Sequence, residues 1–169
     1  MQRPIWLIGM MGSGKSTVAP LVAAALGRQW VDADTLIEER TGCSIADLIG
    51  ESEMLFREAE VAAMRALAAG QAVVATGGGA VMTEAAEIMR HNGVVVWLRC
   101  RVETLADRVG NGFARPLLTE GSAALEGIDS ERRDRYLALA DVVIDTDDLS
   151  PEAVAKVVVK AWERASSVV

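Results

Sequence analysis

Cysteine and histidine, the usual ligands of zinc and similar metals, are scarce in this sequence. It contains two cysteines and one histidine among 169 residues. Cys43 and Cys100 do not have the close spacing of a metal site, and two cysteines are too few for a disulfide framework. We therefore expect both to be reduced thiols. His91 precedes Asn92-Gly93, a sequence typical of helix ends, which predicts a helix-terminal residue rather than a catalytic base.

Long apolar runs and a leader segment are also missing. Hydrophobic residues make up 51% of the chain, but no run approaches the roughly 20 residues that span a bilayer. The sequence begins directly with a predicted strand, without the charged and then apolar pattern of a signal peptide. We therefore expect a cytoplasmic protein with no membrane partner. The length suits a single domain at residues 1–169, and we expect a monomer.

Positive charge is in deficit. Lysine and arginine total 17 against 24 aspartates and glutamates, which gives a formal net charge of −7 at pH 7. A general nucleic-acid-binding protein needs a basic face, so this balance argues against nucleic-acid partners. If the substrates are anions, local arginines must bind them against an unfavourable overall field.

The most informative stretch is GMMGSGKS at residues 9–16, which has the pattern G-x-x-x-x-G-K-[ST]. An apolar run precedes it, and apolar residues recur at helical spacing after it. In this strand–loop–helix context, backbone amides and the helix N-terminus bind phosphates. Lys15 is expected to reach the β- and γ-phosphates of a nucleotide, and the Ser16 hydroxyl to hold Mg²⁺. The predicted nucleotide-binding residues of this phosphate loop are Gly12, Ser13, Gly14, Lys15, Ser16 and Thr17.

Strands and helices are predicted to alternate along the chain. The predicted strands are residues 5–9, 29–32, 72–76, 94–98 and 142–145. Two of them contain continuously apolar runs, which are typical of parallel strands covered on both faces. With right-handed crossovers, the pattern predicts an α/β fold, a three-layer sandwich around a five-stranded parallel sheet.

Two aspartates follow the second predicted strand. Asp32 and Asp34 lie two residues apart, on one side of the chain, at the strand end where open α/β sheets bind ligands. Next to a phosphate loop, one carboxylate can hold Mg²⁺ or its water, and the other can accept a proton from an attacking hydroxyl. The alternative is that Asp34 only caps the helix predicted at 35–40.

Three successive glycines, Gly77, Gly78 and Gly79, follow the third predicted strand. Glycines at this position permit a ligand to approach the backbone closely. The alternative is a plain tight turn, for which three glycines are more than is needed. The triplet therefore favours a binding role.

The longest segment without periodicity is predicted to be a mobile lid, at approximately residues 109–124. It follows a helix that begins at Val102, and glycines precede its central Arg115. An arginine on a closing lid can neutralise charge in a phosphoryl-transfer transition state. The alternative is a surface loop in which Arg115 is solvated.

Together these motifs resemble the shikimate kinases, within the nucleoside-monophosphate-kinase-like group of P-loop proteins. The resemblance covers nearly the whole chain in order and spacing, and it implies a P-loop NTPase fold with a mobile lid and an acceptor-binding subregion at approximately 33–61. The matching segments are GMMGSGKS (9–16), DAD (32–34), ERTGCSIADLI (39–49), FRE (56–58), GGGAV (77–81), RPLL (115–118) and the stretch from Arg132 through Tyr136 to Asp141.

The resemblance implies that ATP's γ-phosphoryl group is transferred to the 3-hydroxyl of shikimate, with Mg²⁺, in aromatic amino-acid biosynthesis. By position, Asp34 is the residue that contacts the acceptor hydroxyl and the candidate base. Asp32 looks like the Mg²⁺-linked acid, acting through water, and Ser16 like the direct ligand. Arg115 is the lid arginine on the phosphates, and Arg108 stacks on adenine.

Two further arginines gain a role only through the resemblance. Taken alone, Arg57, in the helix predicted at 51–69, is typical of a solvated helix surface. The resemblance pairs it with Arg132, in the helix predicted at 129–140, as the grip on the shikimate carboxylate, with the Gly78-Gly79 backbone beside them. Bidentate guanidinium groups suit a small hydrated carboxylate better than lysine does.

The sequence departs from the family pattern at two places. The usual Arg-x-Pro-Leu-Tyr run is RRDRY at 132–136, without the proline, and its three arginines leave the register open. Arg132 keeps the family spacing to Tyr136. Near the last strand the family often offers a basic residue to adenine, and residues 147–151 contain none.

Two other functions stay open on the sequence alone. One is another small-molecule kinase of the same fold, such as a gluconate or nucleoside-monophosphate kinase, whose acceptor site would lack the set of Asp34, Arg57 and three glycines. The other is a nucleotide-dependent switch or binding module without a small acceptor. GTP switches usually carry an Asn-Lys-x-Asp motif, which is absent from this sequence.

Overall fold

A computed structural model of the protein describes residues 3–110 and 122–166. The strands are β1 (Ile5–Ile8), β2 (Trp30–Asp32), β3 (Val73–Ala75), β4 (Val94–Arg99) and β5 (Val142–Asp145). The helices are α1 (Lys15–Leu26), α2 (Ala33–Thr41), α3 (Ile45–Glu51), α4 (Glu53–Ala68), α5 (Ala85–His91), α6 (Val102–Gly110), α7 (Ser122–Leu139) and α8 (Pro151–Ser166), with a turn of 3₁₀ helix at Ala80–Met82. No helix in these ranges is both long and apolar enough to cross a bilayer.

The five described strands form one parallel sheet in the order β2-β3-β1-β4-β5. β1 is central, and its Ile5 lies opposite Val73 of β3 on one side and Val94 of β4 on the other. The prediction of an α/β fold with a five-stranded parallel sheet is confirmed. Each strand begins and ends within one residue of its predicted range.

Alternate residues of the central strand pack on opposite faces of the sheet, as the strand's period of two requires. Trp6 and Ile8 join a core formed with α4, α5, α6 and α7, whereas Ile5 and Leu7 join a core formed with α1 and α8. All four side chains are fully buried. Helices thus cover both faces, which gives the predicted three layers and explains why β1 is apolar throughout.

The start of α2 corrects one prediction. The helix begins at Ala33, not at Thr35, because the Asp32 carboxylate caps it. That carboxylate accepts hydrogen bonds from the backbone amides of Asp34 and Thr35, at 3.1 and 3.4 Å. Asp34 lies in the first turn of the helix and is not its cap.

The start of α7 corrects a second prediction. The sequence predicts this helix at 129–140, but it begins at Ser122. Leu125, which is 1% exposed, packs into the same core as Trp6 and supports the early turns. The predicted lid at 109–124 therefore overlaps the end of α6 and the start of α7, and its central part lies outside the described residues.

The carboxyl ends of three adjacent strands meet at one edge of the sheet. The phosphate loop follows β1, Asp32 ends β2, and Gly77, Gly78 and Gly79 follow β3 after one intervening residue. Because β1 and β2 both pair with β3, these segments are neighbours in space. Ligands bind at such edges in open α/β sheets, so the fold places the predicted functional segments where a ligand is expected.

Candidate active site

The phosphate loop joins β1 to α1, and its last residue before the helix is Gly14. Gly14, the N-cap of α1, has a φ of 98°, a left-handed conformation that favours glycine. The Lys15 ammonium donates hydrogen bonds to the carbonyl oxygens of Gly9 and Met10, each at 2.8 Å. Lys15 is 8% exposed. A buried cation at a helix N-terminus lined with amides is suited to binding phosphate.

The predicted metal-binding pair is in contact. The Ser16 hydroxyl donates a hydrogen bond to Oδ2 of Asp32 at 2.6 Å. Hydroxyl and carboxylate oxygens are the hard donors that Mg²⁺ prefers. Among the described residues there is no group of three or more histidine, cysteine or acidic side chains that could hold a metal. A serine and an aspartate suit Mg²⁺ in a phosphate site, because this ion keeps several waters and binds through one or two carboxylates and substrate phosphates.

A cleft of about 540 Å³ lies along the phosphate loop. All six predicted nucleotide-binding residues of the loop line it, and Arg108, Thr146, Leu149 and Pro151 lie across from them. The Arg108 guanidinium donates to the carbonyl oxygen of Gly12 at 3.4 Å and to that of Thr146 at 3.2 Å. Arg108 lines this cleft together with the apolar side chains of Leu149 and Pro151, and a planar guanidinium is suited to stacking on a flat base.

Asp147, in the segment that lacks a basic residue, binds the start of α6. Its Oδ1 accepts hydrogen bonds from the Thr104 hydroxyl at 2.7 Å and from the Arg101 amide at 3.0 Å. Burial alone would raise the pKa of this carboxyl, but the hydrogen bonds from Thr104, Arg101 and Cys100 outweigh it and lower the pKa to about 2. Asp147 therefore helps to fix the helix that carries Arg108.

On the acceptor side, the three glycines that follow β3, called here the glycine loop, meet side chains from three different helices. A Cβ atom on the first glycine would lie 2.9 Å from Oδ1 of Asp34. One on the second would lie 3.4 Å from Nη1 of Arg132, and one on the third 2.9 Å from Nη1 of Arg57. The structure thus brings together all three side chains predicted to bind the acceptor. A larger residue at the first position would displace Asp34, and one at the third would displace Arg57.

The acceptor side adjoins the phosphate side at Gly9. A Cβ atom on Gly78, the second glycine, would lie 3.5 Å from the carbonyl oxygen of Gly9. The same oxygen accepts the hydrogen bond from Lys15. The glycine loop, which Asp34 contacts, therefore lies next to the first residue of the phosphate loop.

The three arginines of α7 have different surroundings. Arg133 donates two hydrogen bonds to Oδ2 of Asp129, one turn earlier in the helix, at 2.7 and 3.0 Å. Arg135 is exposed. Arg132 is the one that lies against Gly78, and its Nε is buried without a hydrogen-bond partner among the residues that the structure describes. The geometry therefore favours Arg132 in the register that the sequence leaves open.

Glu60 is a site residue that the sequence reasoning missed. It is 1% exposed, and its Oε2 lies 3.2 Å from Nη1 of Arg57 and 3.4 Å from the Thr83 hydroxyl. Burial raises the pKa of Glu60, and the nearby Asp34 adds to this, although the pairing with Arg57 opposes it. The signal in the sequence is slight: a glutamate three residues after an arginine on one helix face.

We expect Glu60→Gln to separate stability from acceptor binding. The folded-state pKa of Glu60 is raised, so the folded chain resists its ionisation, and the free energy of unfolding decreases as the pH rises from about 4.5 through that pKa. Glutamine does not ionise, so the variant does not lose stability in this way. The Tm of the variant minus the Tm of the parent protein should therefore increase from pH 4.5 to pH 7. The acceptor KM of the variant should rise about threefold to tenfold, because Arg57 loses its buried carboxylate partner and keeps only the exposed Glu53.

The matched control is Glu58→Gln, which changes an exposed glutamate of the same helix. Thermal unfolding at the two pH values and steady-state kinetics measure both effects. A Tm that drops sharply at pH 7 in Glu60→Gln would show that the pair with Arg57 outweighs burial.

The comparison with known families agrees with the motifs. A sequence profile of the shikimate kinases matches residues 11–163. The chain belongs to the shikimate kinase family. The shikimate kinase of Moorella thermoacetica is 43% identical over 164 residues, covering 94% of this chain and 95% of the relative. That of Symbiobacterium thermophilum is 44% identical over 169 residues, covering 95% and 97%.

A solved structure of a shikimate kinase extends the comparison to three dimensions. The shikimate kinase of Acinetobacter baumannii in complex with shikimate has a TM-score of 0.90 to this chain at 31% identity. The alignment covers 99% of this chain and 95% of that structure. The resemblance seen in the motifs is thereby confirmed. Shikimate kinases are phosphotransferases with an alcohol acceptor and use ATP, so this member of the family is a P-loop kinase.

One predicted site residue is not placed. Arg115 and most of the predicted lid lie outside the residues that the structure describes. Two residues besides Glu60 were not predicted as parts of the site. Asp147 contacts α6, and the Tyr136 hydroxyl donates a 2.6 Å hydrogen bond to the carbonyl oxygen of Gly78. Both contacts join residues more than 40 positions apart, and no local pattern reports them.

Proposed function

We propose that this chain transfers the γ-phosphoryl group of ATP to the 3-hydroxyl of shikimate, giving shikimate 3-phosphate and ADP. The observation that carries the proposal is the convergence of Asp34, Arg57 and Arg132 on a glycine loop that adjoins the Lys15-bearing phosphate loop. Two guanidinium groups and a carboxylate match a small acid with a reactive hydroxyl. Phosphoryl transfer needs such positioning more than it needs covalent chemistry.

On the acceptor, Arg57 and Arg132 pair with the carboxylate through charge-assisted hydrogen bonds. The glycine loop lets the ring approach the backbone closely. Asp34 accepts a hydrogen bond from the 3-hydroxyl, orients it towards the γ-phosphate and takes its proton as the new bond to phosphorus forms. The supporting geometry is that Asp34, in the first turn of α2, meets the first glycine of the loop.

On the nucleotide, residues 12–17 bind the phosphates with backbone amides. Lys15 neutralises the charge that develops on the phosphoryl oxygens, and the N-terminus of α1 adds its dipole. Arg108 stacks on adenine next to Leu149 and Pro151. Arg115 is assigned to the phosphates by its position in the family motif.

Mg²⁺ fits the donor set at the end of β2. Ser16 and Asp32 would hold it, as their oxygen atoms already lie 2.6 Å apart. When bound, the ion neutralises phosphate charge and orients the β- and γ-phosphates. We further propose that the chain acts in the cytoplasm as a monomer, with no nucleic-acid or membrane partner, as its length and net charge of −7 favour.

The test is ADP release measured with a panel of acceptors. The proposal predicts ADP formation that depends on shikimate, with the product phosphorylated at the 3-position by phosphorus NMR. Stimulation by gluconate or a nucleoside monophosphate instead would identify another small-molecule kinase. ADP release that no acceptor changes would identify a nucleotide-dependent module.

Two neighbouring arginines of α7 give a matched pair for the carboxylate grip. Arg132→Ala should raise the KM for shikimate about tenfold to a hundredfold, because a charged hydrogen-bond donor is lost, with the KM for ATP unchanged. Arg133→Ala should change neither KM by more than about twofold, since Arg133 pairs with Asp129 of its own helix. Steady-state kinetics in both substrates measure the effect. If Arg133→Ala raised the KM for shikimate more than Arg132→Ala does, Arg133 and not Arg132 would bind the carboxylate.

A further inference from the structure

We propose that Tyr136 is a positioning residue for the acceptor site, whose hydroxyl holds the Gly78–Gly79 peptide and the Arg132 guanidinium in one fixed arrangement. The inference rests on the proposed function and adds to it a residue that acts through its neighbours. It explains how a loop of three glycines can present a defined surface to a small acid.

The Tyr136 side chain is itself held in place. It is fully buried, and its ring stacks on Trp97 of β4 with centroids 5.4 Å apart and planes inclined by 23°. Trp97 is 2% exposed. With the ring fixed by this stack, the hydroxyl donates to the carbonyl oxygen of Gly78 at 2.6 Å. The tyrosine thus links a strand of the buried sheet to a glycine backbone that has no side chains of its own to fix it.

A peptide group is planar, so holding the carbonyl oxygen of Gly78 also sets the direction of the Gly79 amide. In a trans peptide the carbonyl oxygen and the amide hydrogen point in opposite directions. Because the Tyr136 hydroxyl holds the oxygen of Gly78, the amide of Gly79 is held pointing away from Tyr136. Gly79 is also the glycine that meets Arg57. The orientation of this peptide therefore bears on both arginines of the proposed grip.

Arg132 lies one helical turn before Tyr136 on the same face of α7. The side chains of Arg132 and Tyr136 share a hydrogen bond. Nη1 of Arg132 and the Tyr136 hydroxyl also lie 3.4 and 3.7 Å from the position that a Cβ atom on Gly78 would occupy. Burial raises the pKa of Tyr136 to about 12, although the charge of Arg132 opposes this. The phenol therefore stays protonated at neutral pH and remains a hydrogen-bond donor to Gly78.

The first test is Tyr136→Phe, which keeps the stack and removes one oxygen atom. The KM for shikimate should rise about tenfold, as expected for the loss of one buried hydrogen bond, with the KM for ATP unchanged. Val158→Ala is the stability control, since it opens a cavity in α8 on the other face of the sheet. It should lower the Tm and leave both KM values unchanged. A normal shikimate KM in Tyr136→Phe, or an equal rise in both KM values, would overturn the proposal.

A second test needs no substitution of the hydroxyl. Tyr136 is the single tyrosine of the chain, so growth on 3-fluorotyrosine labels this site alone. Its fluorine NMR resonance should shift when shikimate is added, and Arg132→Ala should abolish the shift while Arg133→Ala preserves it. A resonance that saturating shikimate leaves unmoved would overturn the positioning role. Absence of shikimate-dependent ADP release by the parent protein would instead reject the proposed function, so the two failures are distinguishable.

Discussion

Lys15→Ala is expected to lower kcat by at least about 100-fold, because it removes a cation from the oxygens that gain charge in the transition state. In the structure the ammonium is buried and bonded to the carbonyl oxygens of Gly9 and Met10, within the loop that surrounds the phosphates. Lys15→Met removes the same charge and keeps most of the side-chain volume, so it should show a similar loss. The measurement is shikimate-dependent ADP release at saturating concentrations of both substrates.

Lys160→Ala is the control for this change, since it removes an exposed lysine of α8. It should leave kcat unchanged. The Tm of each variant shows whether the loop has lost its fold. A Lys15→Ala protein with normal Tm and near-normal kcat would contradict the role of Lys15.

Asp34→Asn is expected to lower kcat by about 100-fold to 10,000-fold, the range typical of a lost general base, and to leave ATP binding intact. Asparagine keeps the size of the side chain and the backbone hydrogen bond to Asp32, so the start of α2 should be preserved. Single-turnover kinetics measure the chemical step, and calorimetric titration with a non-hydrolysable ATP analogue measures binding.

Asp32→Asn supplies the comparison. Asp32 contacts Ser16 at 2.6 Å, so this variant should change the Mg²⁺ dependence of nucleotide binding. If Asp34→Asn weakened ATP binding in the same way, Asp34 would belong to the metal side of the site. If its kcat stayed normal, Asp34 would be neither the base nor the group that orients the hydroxyl.

The fold was predictable because its signals are local. Apolar runs at β3 and β4 predict buried parallel strands, and the P-loop motif predicts the turn between β1 and α1. The errors lie where a tertiary contact overrides the local signal. α7 begins at Ser122 because Leu125 is buried in the core, while the surrounding residues are polar or small. α2 begins early because Asp32 faces the helix as well as Ser16.

The site was predictable only in part, and the difference is physical. Asp34 and the glycine loop have residue types and spacing that point to a site along the chain, whereas Arg57 gains its role only through the family resemblance. Arg132 is chosen over Arg133 by its spacing to Tyr136, and the pairing of Arg133 with Asp129 adds a structural reason. Glu60 has only a weak local signal, its place three residues after Arg57. Tyr136 is marked by its spacing to Arg132, but its contact with Gly78 forms only when the chain folds.

The glycine loop is surrounded by side chains from α2, α4 and α7, which span most of the length of the chain. No short fragment contains all three, so affinity for the small acid arises only when the whole sheet has assembled. Ligand-induced thermal stabilisation is therefore a stringent assay of complete folding for this protein. A truncated or misassembled chain that still binds nucleotide through the local β1–α1 unit would be stabilised by ATP. The acceptor would not raise its Tm, and this difference would reveal the incomplete fold.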